Sequence, residues 1–420
     1  MIRTTTNYDV SVFTDAEKAC IFDMARASRV IYNAAARIAE EQYSATGKYV
    51  GKYSLDVMVR KDIPEYRSLL STVARNSIYS CDANYQTFFK LQKNGKKTAR
   101  PPRPSEEKAL YPVMYSGSSM KMTGECVRLS IKKTMKEQYG IRGIVVRLPR
   151  SLVCLDVRSV KLIPRENGKI DVAFSYACDA AKSDSPKGNI LAIDLGVNNF
   201  CACVDTVGGR PFLISGGRIN DILHEYDQKM AYYKPLARLN NPRGTTRRIE
   251  EIIKRKDNRL KYEVHAIANY IISYAESHDI GTIAIGIPGK DRYAALKDEA
   301  KEKKLGSMFP FGLFQRYLEY RCKARGIRLK AVEEAFTSKC DSLALESVEH
   351  HDVYLGERVA RGLFKSSTGK LINADINAAV NIARQAGAKK SWQRELIEDK
   401  QLLQPRRISC EEYHRMQRKA

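Results

Sequence analysis

The sequence predicts a mixed α/β protein with helical and β-barrel parts, and three observations carry that prediction. Residues 14–90 show helical apolar spacing. Residues 110–180 alternate apolar with polar or basic residues in short runs separated by turns. Residues 190–385 intersperse short β-branched runs with long charged helical stretches.

Taken in order, residues 1–13 read as one strand. A helix opens at Thr14-Asp15-Ala16-Glu17, with Thr14 as N-cap and Glu17 as its capping-box partner. A second helix covers Val73 to Lys90. The stretch KNGKKTARPPRP (93–104) is a breaker-rich basic loop carrying Lys96, Lys97, Arg100 and Arg103. The segments CVRLSI, GIVVRLP, VRSVKLIPR and KIDVAFSYAC then read as strands of a small barrel or curled sheet joined to the first strand. Ser, Asp, Pro and Gly enrich DAAKSDSPKGN (179–189), which marks a domain boundary.

Beyond that linker, residues 190–217 form hairpin-rich strands and 218–278 a charged helical region. A strand at 281–286, a helix near 310–325, a strand at 327–334 and a helix at 375–385 follow. Three strands, helix, strand, helix, strand, helix is the order of an RNase H-like fold, in which an antiparallel hairpin is extended by parallel strands. The tail, 386–420, is polar and basic, with no periodicity to read. There is no internal repeat.

The 420 residues carry 72 Lys plus Arg against 48 Asp plus Glu, a formal net charge of +24. Such a surplus repels itself unless it meets a polyanion, and nucleic acid is the simplest one because phosphate neutralisation releases counterions. The 23 tyrosines serve either base stacking or an ordinary core. Ten cysteines contain no C-x-x-C pair, which argues against zinc knuckles and a secreted disulfide framework. Cys201 and Cys203 lie on one face of a strand as cytosolic thiols. MIRTTTNYDV lacks an apolar signal core, and no apolar run reaches roughly 18 residues. The expectation is a cytoplasmic, nucleoid-associated protein without membrane partners.

Two carboxylates stand out. Asp194 ends the apolar run Ile190–Ile193 and is followed by Leu-Gly, so the chain leaves the sheet there with room for an ion and a phosphate. Asp375 begins the last helix, whose amino-terminal dipole favours an anion. Each also has a plainer reading, a turn Asp and a helix cap. An acid on the first strand and one on the last helix is how an RNase H-like site is built. That site needs a third acid, since two-metal phosphodiester hydrolysis holds ions about 3.5–4 Å apart. Hard oxygen ligands imply Mg²⁺, with Mn²⁺ as the alternative. The middle strand of GTIAIGIPGK (281–290) ends in Gly286, which offers no ligand. Asp205, Asp291, Glu333 and Glu334 are candidates to replace it.

LAIDLGVNNF, EEAFTSK and ERVARGLFKSSTGKLINADINAAVNIARQ resemble the TnpB family, transposon-encoded RNA-guided DNA nucleases related to the miniature type V CRISPR effectors. The resemblance implies a RuvC nuclease domain over 190–385, with a helical insertion at 218–278 and a target-nucleic-acid-binding insertion at 335–372. It implies more loosely a wedge-like β-barrel (1–13 and 105–180) and a helical recognition domain (14–104), with 386–420 a basic tail. The usual pattern has Glu where this chain has Gly286. A branch of the family shares that glycine and carries Glu-Glu before a segment like EEAFTSK (333–339), which implies that the acid has relocated. Strand alternation puts Glu333 with Ile327, Leu329 and Ala331, and Glu334 with Val332. Periodicity therefore favours Glu333 for the apolar face, while the resemblance favours Glu334, on which the reading settles with Glu333 as the alternative.

The implied site is thus Asp194, Glu334 and Asp375, serving as metal ligands and catalytic acids. Many relatives carry two C-x-x-C knuckles before the last helix; here only Cys340, His350 and His351 fall in that interval, so no zinc is expected there. Arg358, Arg361 and Lys365 are candidates to grip a phosphate near the site. Arg247, Arg248, Lys254, Arg255 and Arg259 are candidates along the helical insertion. The expected partners are a guide RNA and double-stranded target DNA with a short flanking motif, with a homodimer as one option. The rival readings are a guided DNA-binding protein or repressor without cleavage, and a guide-free RuvC-like resolvase.

Overall fold

The computed structural model describes residues 2–9, 13–95, 98–104, 110–149, 152–153, 155–165, 168–178, 188–241, 244–287, 309–389, 392 and 402–417. The chain divides into two compact units, 1–179 and 180–420. Among the described residues no helix is long and apolar enough to cross a membrane.

The first unit opens with strand β1 (Ile2–Asp9) and helices α1 (Asp15–Thr46), α2 (Lys52–Asp62), α3 (Glu65–Ser68) and α4 (Ser71–Lys93). The capping box forms: Thr14 Oγ1 accepts from the Glu17 amide at 3.2 Å, and Glu17 Oε2 accepts from the Thr14 amide at 2.9 Å. Such a cap contributes about 1 kcal/mol. Tyr32, Tyr66, Tyr85 and Tyr115 are buried, so in this unit tyrosine serves the core.

Beyond α4 come β2 (Val113–Ser116), β3 (Met120–Thr123), β4 (Cys126–Leu129), α5 (Lys133–Tyr139), β5 (Ile144–Arg147), β6 (Asp156–Pro164) and β7 (Ile170–Cys178). They form two separate antiparallel sheets, ordered β1-β7-β6-β2 and β3-β4-β5. The expected barrel is not closed among the described residues. Closure needs every edge strand to find a partner, and β1 and β2 pair on one side only. Of the strands expected in it, β6 and β7 join β1 in one sheet, whereas β4 and β5 belong to the other.

The second unit carries β8 (Ile190–Leu195), β9 (Asn199–Asp205), β10 (Phe212–Ser215), α6 (Gly217–Asn240), α7 (Arg247–Ser277), β11 (Thr282–Ile287), α8 (Phe311–Arg325) and β12 (Arg328–Glu333). Next come a three-stranded sheet of β13 (Glu357–Ala360), β14 (Leu363–Lys365) and β15 (Leu371–Asn373), and helix α9 (Ala374–Ala386). The tail proves structured. Its strand β16 (Arg406–Ile408) pairs parallel with β10, and its helix α10 (Cys410–Gln417) follows. A three-residue strand and an eight-residue helix are too short to show a clear period, which is why the tail carried no readable signal.

The main sheet is ordered β12-β11-β8-β9-β10-β16, an antiparallel meander extended by parallel β11 and β12. Strand alternation gives it two apolar faces. Leu191, Ile193, Cys201, Cys203, Ile283 and Ile285 pack with residues of α7 and α8. Ile190, Ala192, Ala202, Ala284 and Val332 pack with Ile376, Ala379, Val380 and Ile382 of α9. The α9 face carries the candidate site.

Candidate nuclease site

Three parallel strands, β8, β11 and β12, end together beneath α9. Asp194 is the fifth residue of β8 and continues the parity of Ile190 and Ala192, so it stands on the α9 face. Ile193 pairs with Ile285, which brings Gly286 level with Asp194 one step further on. Gly286 in turn pairs with Val332, and its parity is that of Ala284 on the same face.

The side chain missing at 286 is supplied from the neighbouring strand. A Cβ on Gly286 would meet Glu334 Cγ and Oε1 and Ile382 Cδ1, each at 2.8 Å. Real Cβ atoms do not come so close, so the Glu334 side chain occupies the space over the glycine. The Glu334 amide donates to the Ile287 carbonyl at 3.0 Å, carrying the ladder one residue past the end of β12 and keeping Glu334 on the face of Val332. The Thr337 amide and hydroxyl both bond the Glu334 carbonyl, at 3.2 and 2.9 Å, and turn the chain there. Glu334 is 9 % exposed, whereas Glu333 is exposed. The face shared by Leu329 and Glu333 is thus solvated at its end, against the periodicity argument for Glu333.

Asp375 lies in the first turn of α9, yet it is not the cap. Asn373 is: its Oδ1 accepts from the Asp375 and Ile376 amides at 3.1 and 3.2 Å. The Asp375 carboxylate is instead held from the sheet, where Asn199 Nδ2 at the start of β9 donates to its Oδ2 at 2.7 Å. Asn199 was not singled out from the sequence; its signal was the Asn-Asn pair just after Asp-Leu-Gly. Asn198, its neighbour, accepts from Arg361 Nη2 at 2.5 Å and Nε at 3.3 Å when its amide oxygen faces the guanidinium.

The other candidates for the third acid lie elsewhere. Asp205 is buried at the opposite end of the sheet, on the α7 face with Leu191. Its carboxylate accepts from the Val207 and Gly209 amides and the Tyr274 hydroxyl, which makes it a turn anchor. Asp291 falls outside the described residues.

Two buried asparagines one turn apart on α9 also escaped the sequence reading. Asn377 Nδ2 donates to the Cys340 carbonyl at 2.9 Å, and Asn381 Nδ2 donates to the Thr337 and Cys340 carbonyls at 2.9 and 2.8 Å. They strap the segment after Glu334 to the helix that carries Asp375. Further along, buried Asp341 accepts from the Leu343, Ala344 and Ser367 amides and from the Ser366 and Ser367 hydroxyls. Glu346 accepts from the Asp341 and Leu355 amides. Carboxylates, each satisfied by local donors, therefore organise this insertion. Of the residues weighed as zinc ligands, Cys340 Sγ donates to the Glu349 carbonyl, His350 packs edge-on against Phe336, and His351 Nε2 meets Ser347.

Arg358, Arg361 and Lys365 are exposed on the β13–β14 hairpin. Arg247, Arg248, Lys254 and Arg255 are exposed on α7; Arg247 and Arg248 pair with Glu251, and Arg259 with Glu225. Glu225, between Lys229 and Arg259, is held down at about 2 by hydrogen bonds from both. Arg100 and Arg103 are exposed in the first unit, and Lys96 and Lys97 fall outside the described residues.

By their chemistry, carboxylate oxygens on one face suit a hard divalent ion, and the Glu334 side chain occupies the space that a Cβ on Gly286 would fill. Among the described residues the one trio of ligating side chains whose ligand atoms all lie within 4.8 Å is a different group, Glu263, Cys410 and His414. A two-ion site spreads its acids wider than a one-ion cluster, since the ions themselves stand about 3.5–4 Å apart.

Comparisons with known proteins agree with this architecture. A family model described as a probable transposase (OrfB of IS605) matches residues 173–291, and a Cas12f1-like TNB domain model matches residues 311–382. A CRISPR-associated endodeoxyribonuclease, Cas12f2 of Micrarchaeota archaeon (strain CG1_02_47_40), is 24% identical over 238 residues. That match spans 52% of this chain and 41% of the relative's length. Among solved structures, Cas12f1 in complex with sgRNA and target DNA aligns with a TM-score of 0.60 at 16% identity, covering 89% of this chain and 83% of that one. The mini-RNA-guided endonuclease CRISPR-Cas_phi3 aligns with a TM-score of 0.52 at 12% identity, covering 92% of each chain. In sequence segments and in fold, the chain is similar to the transposase and miniature type V effector proteins, the resemblance read from its motifs.

Proposed function

We propose that this chain, a relative of those proteins, is an RNA-guided DNA endonuclease whose RuvC-like cleavage site is Asp194, Glu334 and Asp375. The observation that carries the reading is Glu334 lying over Gly286, on the same face and at the same strand ends as Asp194, beneath the helix that bears Asp375.

Each residue has a definite task. Asp194, Glu334 and Asp375 would hold divalent ions, Mg²⁺ first by the hardness of carboxylate oxygen. Such ions supply charge neutralisation at the scissile phosphate and an activated water. Asn199 fixes the Asp375 carboxylate, and Asn373 takes the capping role so that the carboxylate can face the site. Asn377 and Asn381 hold the chain after Glu334 against α9. Arg358, Arg361 and Lys365 offer exposed cations to the backbone of the strand being cut, and Arg247, Arg248 and Arg255, exposed on α7, are separate candidates for phosphate contact. Residues 1–13 and 105–180 would act as the wedge, 14–104 as the recognition domain, and 335–372 as a target-nucleic-acid-binding insertion. Guide RNA would supply sequence specificity by pairing, while the protein reads duplex shape and a short flanking motif in the target DNA.

The test is to purify the protein with its RNA, sequence that RNA, and challenge matching supercoiled plasmid in Mg²⁺ with wild type and with Asp194→Ala, Glu334→Gln and Asp375→Asn. A defined scaffold with a variable end, cleavage by wild type, and loss of cleavage with retained target binding in all three variants support the reading. Equal signals from wild type and Asp194→Ala would instead identify a guided binder without cleavage, the reading that Gly286 favours.

A further inference from the structure

Away from the nuclease site, the tail meets the insertion helix at a cluster of chemically different ligands. Helix α10 carries Cys410 and His414 one turn apart, so both side chains share one face. That face lies against α7 at Glu263, which is 4 % exposed. The Glu263 carboxylate oxygen, the Cys410 sulfur and a His414 ring nitrogen all lie within 4.8 Å of one another. From these positions we infer that Glu263, Cys410 and His414 form a site for one borderline divalent ion of the Zn²⁺ class, which clips the C-terminal helix to α7.

The groups behind the three ligands fit that assignment. His414 Nε2 lies 2.9 Å from Glu263 Oε2, and its Nδ1 lies 3.2 Å from the Tyr262 hydroxyl. With Nδ1–H donating to that hydroxyl, Nε2 is left free to ligate an ion. The Tyr413 hydroxyl donates to Glu263 Oε2 at 3.1 Å and so orients the carboxylate. Thiolate and carboxylate balance a divalent charge; Arg218 Nε stands 3.6 Å from Glu263 Oε1, and Arg259 and Arg415 also line the cleft around the cluster.

The geometry needs little adjustment. Tetrahedral zinc with bonds of about 2.0–2.3 Å separates its ligand atoms by roughly 3.3–3.8 Å. The His–Glu pair must open by a few tenths of an ångström from 2.9 Å, and the sulfur must close from within 4.8 Å. Cys, His and Glu leave a fourth position for water. The cluster lines a cleft with Arg218, Asn258 and Arg415, so an ion can enter from solvent. Thiolate and imidazole select a softer ion than the all-carboxylate nuclease site, so the two sites take different metals.

The experiment uses the full chain, stripped with chelator and titrated with Co²⁺. One equivalent should develop a thiolate-to-cobalt charge-transfer band, to which an all-oxygen site contributes nothing. Cys410→Ser should abolish the band, and His414→Gln and Glu263→Gln should each weaken binding at least about tenfold. Zn²⁺ should displace cobalt and raise the melting temperature of wild type but not of Cys410→Ser. Absence of the band in wild type overturns the site, as does a band of equal intensity in folded Cys410→Ser, which would place the metal on other thiols. Because this readout involves neither RNA nor cleavage, its failure is distinguishable from failure of the proposed nuclease activity.

Discussion

Glu334 fills the space over Gly286: a Cβ on the glycine would lie 2.8 Å from both Glu334 Cγ and Oε1. The two positions belong to neighbouring parallel strands, so the Glu334 side chain stands where a side chain on residue 286 would begin. Gly286→Ala should therefore push the Glu334 carboxylate out of position. The expected result is cleavage reduced roughly 10–100-fold, as for a misplaced metal ligand. Overpacking should cost about 1–3 kcal/mol. Cleavage assays beside thermal melting check it, and unchanged cleavage by a folded Gly286→Ala protein would remove Glu334 from the site.

The adjacent glutamates should behave oppositely. Glu334 is buried on the α9 face, and Glu333 is exposed. Glu334→Gln should abolish cleavage while preserving guided target binding, and Glu333→Gln should cleave within about twofold of wild type, since an exposed side chain off the site changes little. A reversed pattern would reassign the ligand.

Asn199 holds Asp375 from the start of β9 at 2.7 Å. Asn199→Ala should lower cleavage about 10–100-fold by releasing a ligand-orienting bond. The sign of a positioning role is a rise in the Mg²⁺ concentration giving half-maximal cleavage, with the melting temperature nearly unchanged. An equal loss at all Mg²⁺ concentrations would argue instead for a structural defect.

Asn381→Ala would remove the side-chain donor to the buried Thr337 carbonyl, while the Cys340 carbonyl keeps its bond from Asn377. Such a loss costs about 1–3 kcal/mol. The second unit should melt several degrees lower, and hydrogen exchange over 335–345 should accelerate.

His265 on α7 stacks on Tyr317 of α8 at 3.6 Å, with Arg321 beside it and Lys261 nearby. Burial first, then the charges of Arg321 and Lys261, push its pKa down from 6.5 to about 4. The unfolded chain takes up that proton near pH 6.5 and the folded one only near pH 4. Stability from this site is full above about 6.5 and is lost as pH falls toward about 4. His265→Phe keeps a ring against Tyr317 and removes the proton, so the melting temperature of the variant should fall less over that window.

Much of the fold was legible because its signals are local. Thr14 and Glu17 sit three residues apart and cap their helix as read. Asp194 was visible as the acid ending an apolar run, and Asp375 as the acid opening an apolar helix. The barrel was not legible as such, since strand-length alternation says which face is apolar but not whether the edges meet.

The sequence by itself determined most of the elements up to residue 385, the surplus of positive charge, the two aspartates and the doublet at 333–334. Tertiary structure alone decided which glutamate faces α9, because one further ladder bond, from the Glu334 amide to Ile287, sets the parity at the strand's end. It also decided that Asn199 reaches Asp375 across 176 residues, and that His414 meets Glu263 across 151. Local periodicity reports only how a segment meets water. Which distant segments share a site depends on sheet order and register, and these are fixed when the whole core packs.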